Sequence, residues 1–358
     1  MRILYLHSEI MPYHVPVFRS FLAAGCELHV MRWTRRNITP YQLPSSLPVT
    51  TYDRESFSTR AITDMARALR PDIVYIAGWQ DLGYLPAAMA LRRSGTPVVV
   101  GFDDQWLGRL RQRAGALLSR FVLRPLFFSH AWVAGPRQYA FAQRLGFRDD
   151  EIIFHLLSAD TRLFGAVPER RLARATTGFL YVGALRRVKG VDVLLDAYDI
   201  YRKELGGAWT LTCVGSGELA ERVARCPDIH HVGFSDQDAL AGLAERAGAF
   251  ILPSRLDQWG VVVHEFAAAG LPLILSEGVG AAPQLLIPGY NGFRVRNADP
   301  ADLAVAMRRM ELSSEGERQA MGKRSTELAM AINPEMSAQS FLSLARRKPG
   351  TVFRQANP

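Results

Sequence analysis

The sequence predicts an α/β protein of two domains, each a parallel sheet with helices on both faces. Three observations predict this. Short apolar runs alternate with helix-length segments along most of the chain, the pattern of strand–helix–strand units. The runs are continuous rather than alternating, as in strands covered on both faces. And 358 residues, 48% of them apolar, suffice for two cores of ordinary size.

In the first half, Ile3–Leu6, Glu27–Met31, Ile73–Ala77, Val98–Phe102 and Ala131–Ala134 read as strands, and Val15–Ala24, Ser58–Ala68 and Pro86–Arg93 as helices. Residues 35–57, rich in Pro, Ser and Thr, read as an irregular connection. Gly146 to Phe164 reads as the last strand and exit of the first domain, and the polar, basic residues 165–176 as the boundary. In the second half Gly178–Val182, Trp209–Val214, Ile229–Val232, Phe250–Leu252, Leu273–Leu275 and Gly292–Val295 read as strands separated by helical patterns. Pro334 to Arg347 reads as a final helix. No tandem repeat or low-complexity tract is present.

Composition excludes several classes. No run of 18 or more apolar residues predicts a spanning helix, and the N-terminus starts like a strand without a small-residue cleavage site. Cys26, Cys213 and Cys226 are odd in number and lack metal-like spacing, which fits a reducing compartment. The net charge of +9 is uneven: residues 1–165 hold 20 Arg and 13 acids, a net of +7, and the remainder a net of +2. No recognition motif or aromatic–basic interleaving supports a nucleic-acid partner.

The most informative segment is Pro253-Ser254-Arg255-Leu256-Asp257-Gln258-Trp259-Gly260-Val261-Val262-Val263-His264-Glu265. An apolar strand precedes it, and a helix-length stretch from Val261 follows, ended by Gly270 and Pro272. Asp257 therefore lies in a strand-to-helix loop and Glu265 about one turn into the helix. In an open α/β sheet that loop is at the carboxyl end of a strand, where ligands bind. Gly260 permits close approach to the helix N-terminus, whose free N–H groups favour an anion. Two carboxylates beside an anion site suit a ligand with hydroxyls at both ends and phosphates between, such as a nucleotide-sugar.

This segment resembles the donor-binding signature of family-4 glycosyltransferases: an acid, seven residues, then Glu, with Phe-Gly or Trp-Gly after the first acid. The first position is usually Glu and here is Asp257. The resemblance implies the GT-B architecture, two Rossmann-like domains facing across a cleft, with the C-terminal helix crossing back to the first. It implies that Asp257 orients the transferred sugar, that Glu265 holds the ribose hydroxyls, and that Trp259 and the backbone at Gly260 and Val261 line the donor site. Phe179 to Leu195 is the second matching segment. Its strand ends at Gly183, and Lys189-Gly190 matches the family's Lys-Gly. The family's Arg is replaced by Ala184, so Arg186 or Arg187 would act with Lys189 on the diphosphate leaving group. Gly215-Ser216-Gly217 and the run through Phe234 resemble the parts near the base. Gly278–Pro283 resembles the last donor loop, and Tyr290–Phe293 the turn after it.

The first domain departs more from the family. Its first loop, His7 to Pro16, has no Gly pair but resembles a Pro-Tyr-x-x-Pro variant of the family, and that resemblance implies Tyr13 and His14 on the acceptor side. Asp103 falls where many members have a catalytic His. In the stretch Trp106 to Arg124, Leu107, Leu110, Ala114, Leu117, Leu118 and Phe121 share a helical face, with Arg109, Arg113, Arg120 and Arg124 assigned to the opposite one. The expected arrangement packs the apolar face on the first sheet and leaves the Arg residues solvated, or on an anionic membrane.

The resulting expectations are three segments: an acceptor-side domain over 1–165, a nucleotide-sugar domain over 166–333, and a returning helix and tail over 334–358. The expected activity is retaining transfer of a sugar from a nucleoside-diphosphate sugar to a glycan or lipid-linked glycan, in cell-surface polysaccharide synthesis. Asp103, Lys189 and Asp257 would be catalytic, with no metal and no cofactor. The expected location is the cytoplasm, either free there or peripheral on the inner face of its membrane. A sugar-nucleotide epimerase of the same architecture and a silent homologue that only binds are the alternatives.

Overall fold

The computed structural model describes residues 1–34, 41, 43–171 and 176–346. They form two compact units: Met1–Leu157 together with the chain from Pro334 onward, and Ser158–Asn333.

The first unit holds a seven-stranded sheet in the order β3-β2-β1-β4-β5-β6-β7. Its strands are β1 (Arg2–Leu6), β2 (Glu27–Arg32), β3 (Thr50–Asp53), β4 (Ile73–Ala77), β5 (Val98–Phe102), β6 (His130–Val133) and β7 (Ile152–Ile153). Every pairing is parallel. The five expected strands of the first half lie within two residues of their expected ends. β3, within the stretch expected to be irregular, was not expected; Thr50-Thr51-Tyr52 suits an edge strand by β-branching, but it carries no apolar run.

The last helix, Pro334–Arg346, belongs to this first unit. Its Phe341 stacks on Trp132 of β6 with ring centroids 4.9 Å apart and also meets Phe21 at 5.5 Å. All three rings are fully buried, so the helix completes the core beneath β4 and β6.

The second unit holds a six-stranded sheet in the order β10-β9-β8-β11-β12-β13. Its strands are β8 (Phe179–Val182), β9 (Leu211–Val214), β10 (Ile229–Val232), β11 (Ala249–Leu252), β12 (Leu273–Ser276) and β13 (Gly292–Val295). All pairings are again parallel. The order reverses between β8 and β11. Loops leaving those neighbours depart to opposite faces, so a crevice opens at their carboxyl ends.

Two expectations need correction. Residues 158–165, given to the first domain, belong to the second unit. The expected exit and boundary carry two short helices, Thr161–Gly165 and Val167–Arg171. Arg171 bonds the carbonyls of Ala244 and Ala247 at 2.7 and 2.8 Å, which ties this segment to the second unit. The second correction concerns helix Leu110–Leu118 and its continuation to Phe127: Leu110, Leu117, Leu118 and Phe121 are exposed rather than packed on the sheet.

Phe341→Ala should lower the stability of the first unit by about 3–5 kcal/mol, the usual cost of emptying a buried aromatic site. Denaturant unfolding followed through a probe in that unit would show it, and an unchanged midpoint would contradict the anchoring role.

Candidate functional site

The site in the second unit begins where β8 and β11 end. Gly190 caps helix Val191–Lys203 in a left-handed conformation, φ 71°. A Cβ there would lie 2.0 Å from the Pro253 carbonyl oxygen, so only glycine lets the β8 and β11 loops touch backbone to backbone. That contact brings Lys189 to Asp257, with Nζ 2.8 Å from Oδ2. Asp257 is buried, with the Ser254 hydroxyl 3.4 Å away. Its backbone is clamped too: its N–H donates to Gly278 O at 3.0 Å, and its carbonyl accepts from Gly280 at 2.9 Å.

A second ion pair braces the same two loops. Arg255 makes a two-pronged contact with Asp192, 2.5 Å and 3.0 Å, and also donates to the Arg187 carbonyl at 2.7 Å. Burial pushes the Asp192 carboxyl up, but the Arg255 guanidinium outweighs it and holds the group below its usual range. Of the two cations considered for the diphosphate, Arg187 leans toward Asp192 at 3.5 Å. Arg186 is exposed and makes no ion pair among the described residues. Gly183 ends β8, with its N–H on the Val214 carbonyl.

Helix Val261–Ala268 starts at Gly260, φ 89°, with no side chain capping it. The Val263 N–H returns to the Gly260 carbonyl at 2.9 Å, so the N–H groups of Val261 and Val262 are the ones that open beside Asp257, whose Cγ would be 3.5 Å from a Cβ at Gly260. Glu265 lies about 6 Å further along the axis from Val261, at 1.5 Å per residue. It is 3% exposed. Its carboxyl is raised to about 7: burial is the main cause, a hydrogen bond from Gln237 opposes it, and Asp160 adds a smaller upward push. Next to it, His264 is fully buried: its Nδ1 accepts from Ala159 N–H at 3.0 Å and its Nε2 lies 2.9 Å from Ala329 O. Accepting at one nitrogen and donating at the other defines a neutral ring.

Phe234, expected near the base, is exposed just past β10, three residues before Gln237. Trp259 is buried and its indole nitrogen has no partner. Val261 is partly exposed at the start of the helix. Gln237, Asp192, Arg255 and His264 received no role from sequence. Asp192, two residues past a Lys-Gly turn, offered a faint signal; Gln237 and His264 offered none, because their partners are distant in the chain.

In the first unit, His14 opens helix His14–Ala23 and is buried. Its Nδ1 is 2.9 Å from the Met11 nitrogen, and burial lowers the ring to about 4, against a smaller opposing effect of the Met11 hydrogen bond. Tyr13 lies against it, centroids 4.6 Å apart. His7, at the end of β1, meets His14 edge-on at 4.7 Å. Burial and the neighbouring His14 hold His7 well below its usual value. Asp103 follows β5, partly buried, its carbonyl accepting from Gln138 at 2.8 Å. Tyr75 on β4 connects the two regions: it stacks on His7 at 6.0 Å, and its ring would meet any Cβ at Gly101. Among the described residues no group of three His, Cys, Asp or Glu is placed to hold a metal ion.

Residues 176–311 match the model of a family described as glycosyl transferases group 1. A glycogen synthase of Mycobacterium tuberculosis is 29% identical over 260 residues, 68% of this chain and 60% of its own length. The D-rhamnosyltransferase WbpZ of Pseudomonas aeruginosa is 32% identical over 138 residues, 36% of this chain and 35% of its own. The chain thus spans 60% or less of the length of these curated relatives. Among solved structures, Anabaena HepE in complex with UDP and glucose has a TM-score of 0.73 at 16% identity, covering 97% of this chain and 100% of that one. A Rickettsia africae glycosyltransferase has a TM-score of 0.75 at 12% identity, with 96% and 97% covered. A trehalose-6-phosphate synthase studied for glycosyl transfer with retention has a TM-score of 0.72 at 14% identity, with 97% and 99% covered. The fold is that of these GT-B structures: two Rossmann-like parallel-sheet units.

Two consequences can be measured. The carboxyl of Glu265 is raised above its unfolded value near 4.5, so its favourable protonated state persists to about pH 7. Stability is therefore full below pH 4.5 as far as this group is concerned, and falls as pH rises through 7, by about 3 kcal/mol in all. Glu265→Gln should lose that decline, and parallel pH profiles in wild type and variant would refute it. His264→Phe should cost about 2–6 kcal/mol, since it strands the Ala159 N–H and the Ala329 carbonyl in the interior; thermal unfolding would read it.

Proposed function

We propose that the protein is a glycosyltransferase that takes a sugar from a nucleoside-diphosphate sugar held at the carboxyl end of the second unit's sheet. The observation that carries this is the convergence of Lys189, Asp257, the uncapped turn at Gly260 and Val261, and buried Glu265 around one topological switch point. The group 1 family match over 176–311 covers these residues, and the fold shared with HepE bound to UDP and glucose supports a nucleotide-sugar donor.

In this reading Lys189 leaves Asp257 for the diphosphate and stabilises it as it departs, with Arg186 as the second cation. Asp257, released from its ion pair, accepts from sugar hydroxyls. Glu265 accepts from the ribose hydroxyls, oriented by Gln237, and Phe234 offers its exposed ring to the base. The bond from the anomeric carbon to the phosphate oxygen breaks, a bond to the acceptor oxygen forms, and the acceptor proton passes to the departing phosphate. Retention of configuration is supported by the resemblance of the donor motif and by the fold shared with the trehalose-6-phosphate synthase. The acceptor is a glycan or lipid-linked glycan, with Tyr13, His14 and Asp103 of the first unit on its side. Both His7 and His14 are neutral there and present no charge to a hydroxyl-rich ligand. No metal takes part in this scheme.

Calorimetry with a panel of nucleoside diphosphates and their sugars tests the donor site. One nucleotide should bind selectively, and Glu265→Ala should weaken it about tenfold or more through lost charge-assisted hydrogen bonds. Binding unaffected by the substitution would remove the ribose role. Lys189→Gln should lower kcat about 10²-fold, the usual effect of deleting one stabilising donor, while KM changes less; full turnover would sink the leaving-group role.

A further inference from the structure

Residues 110–127 are one helical stretch whose apolar side points outward. Leu110, Leu117 and Phe121 are 82%, 63% and 68% exposed, and Leu107, Leu118 and Leu126 are exposed as well. At 100° per residue Leu110, Ala114, Leu117, Leu118 and Phe121 make a single stripe. The side facing the unit is made by Ala116, Ser119 and Leu123, all buried. Pro125 has no N–H to return to Phe121, and the turn before it widens, with Arg124 N–H reaching back to Ser119 O.

The basic residues do not sit opposite the stripe. By the same angle Arg113 and Arg120 lie along one edge of it and Arg111 along the other, all exposed. Arg124 is turned away and paired with Glu151. From Gln105 to Arg148 the chain holds eight Arg and no acid. Water-facing surfaces of monomers rarely concentrate so many large apolar side chains in one place.

We infer that this stretch is an interfacial membrane anchor, lying in the plane of an anionic bilayer. Leu110, Leu117, Leu118 and Phe121 enter below the headgroups, and Arg109, Arg111, Arg113 and Arg120 rest among the lipid phosphates. Helices with this division of residues bind by buried apolar area plus attraction to anionic lipid. A second copy of the chain is the poorer occupant, because two acid-free Arg-rich faces would be brought together. No helix of the described residues is long and apolar enough to cross the membrane. None of these residues belongs to the donor site, so the anchor is independent of the transferase reading.

The test is flotation of the full chain with vesicles of phosphatidylcholine alone and with 30 mol% phosphatidylglycerol added, alongside its oligomeric state. The wild type should bind the anionic vesicles about tenfold or more better than the neutral ones. Leu117→Ser with Phe121→Ser should weaken that binding about tenfold or more, and Arg111→Gln with Arg113→Gln should remove the preference for anionic lipid. Because these side chains are exposed, thermal midpoints should stay unchanged. Phe121→Trp gives a second readout: its emission should shift to the blue on anionic vesicles. The anchor is overturned if the wild type ignores both vesicles, if binding survives both pairs of substitutions, or if the emission of the Phe121→Trp variant remains that of an indole in water. It is equally overturned by a dimer that the Ser variant dissociates and that does not bind vesicles.

Discussion

The reversal of strand order between β8 and β11 is the constraint on which the site depends. Two adjacent parallel strands send their loops to opposite faces, and the gap they leave must be either filled or used. Here the gap is narrowed at one point by the backbone contact between Gly190 and Pro253. Everything charged is arranged about that contact: Lys189 on one side reaches Asp257 on the other, and Arg255 reaches back to Asp192. Within each pair the partners differ in exposure. Asp257 is buried while Lys189 remains partly in water, so the lysine can exchange partners at modest cost while the acid cannot be left alone. A ligand that draws Lys189 away with phosphate must bring hydroxyls for Asp257, and a sugar joined to a diphosphate brings both.

The helix that follows carries a different solution to burying polar groups. His264 is satisfied on both ring nitrogens by backbone from segments far apart in sequence, so it fixes the helix against Ala159 and Ala329. Glu265 is held by Gln237 but pays for its burial with a carboxyl raised to about 7. Burial disfavours its ionised form, and hydroxyl donors would favour that form. The well-satisfied residue provides rigidity, and its neighbour is the one the proposed function assigns to binding.

Much of this was legible in the sequence, for identifiable reasons. β8, β11 and β12 were readable because each is a buried, largely apolar run between turn residues, whereas the edge strand β10, Ile-His-His-Val with both His exposed, was readable from its place in the strand–helix alternation. Asp257 and Glu265 were singled out by loop position and by the resemblance of their spacing to a family signature, and Lys189 by the resemblance of its Lys-Gly; the structure brings Lys189 and Asp257 into contact. β3 was not readable, since an edge strand needs no apolar run. Nor was the bracing by Asp192, Gln237 and His264, because each depends on partners brought close only by folding. The domain boundary was misplaced by eight residues because a polar, basic segment looks like a linker until Arg171 is seen bonded to Ala244 and Ala247.

The stretch from 110 to 127 shows the limit of periodicity most clearly. The pattern reveals that an apolar stripe exists, but nothing in it says which side faces the sheet. The default is burial, since most helices of a soluble domain are held by their apolar face. Here small and polar residues, Ala116 and Ser119, are buried instead, and the large ones are left outside. Such an inversion costs stability in water and is expected to persist only where another surface accepts the exposed side chains. The charge asymmetry of the chain has the same sense: the first 165 residues carry +7 of the total +9. On these two proposals, attraction to an anionic surface and recognition of a donor would reside in separate units, and substitutions in one stripe of Leu and Phe would alter the first without touching Lys189, Asp257 or Glu265.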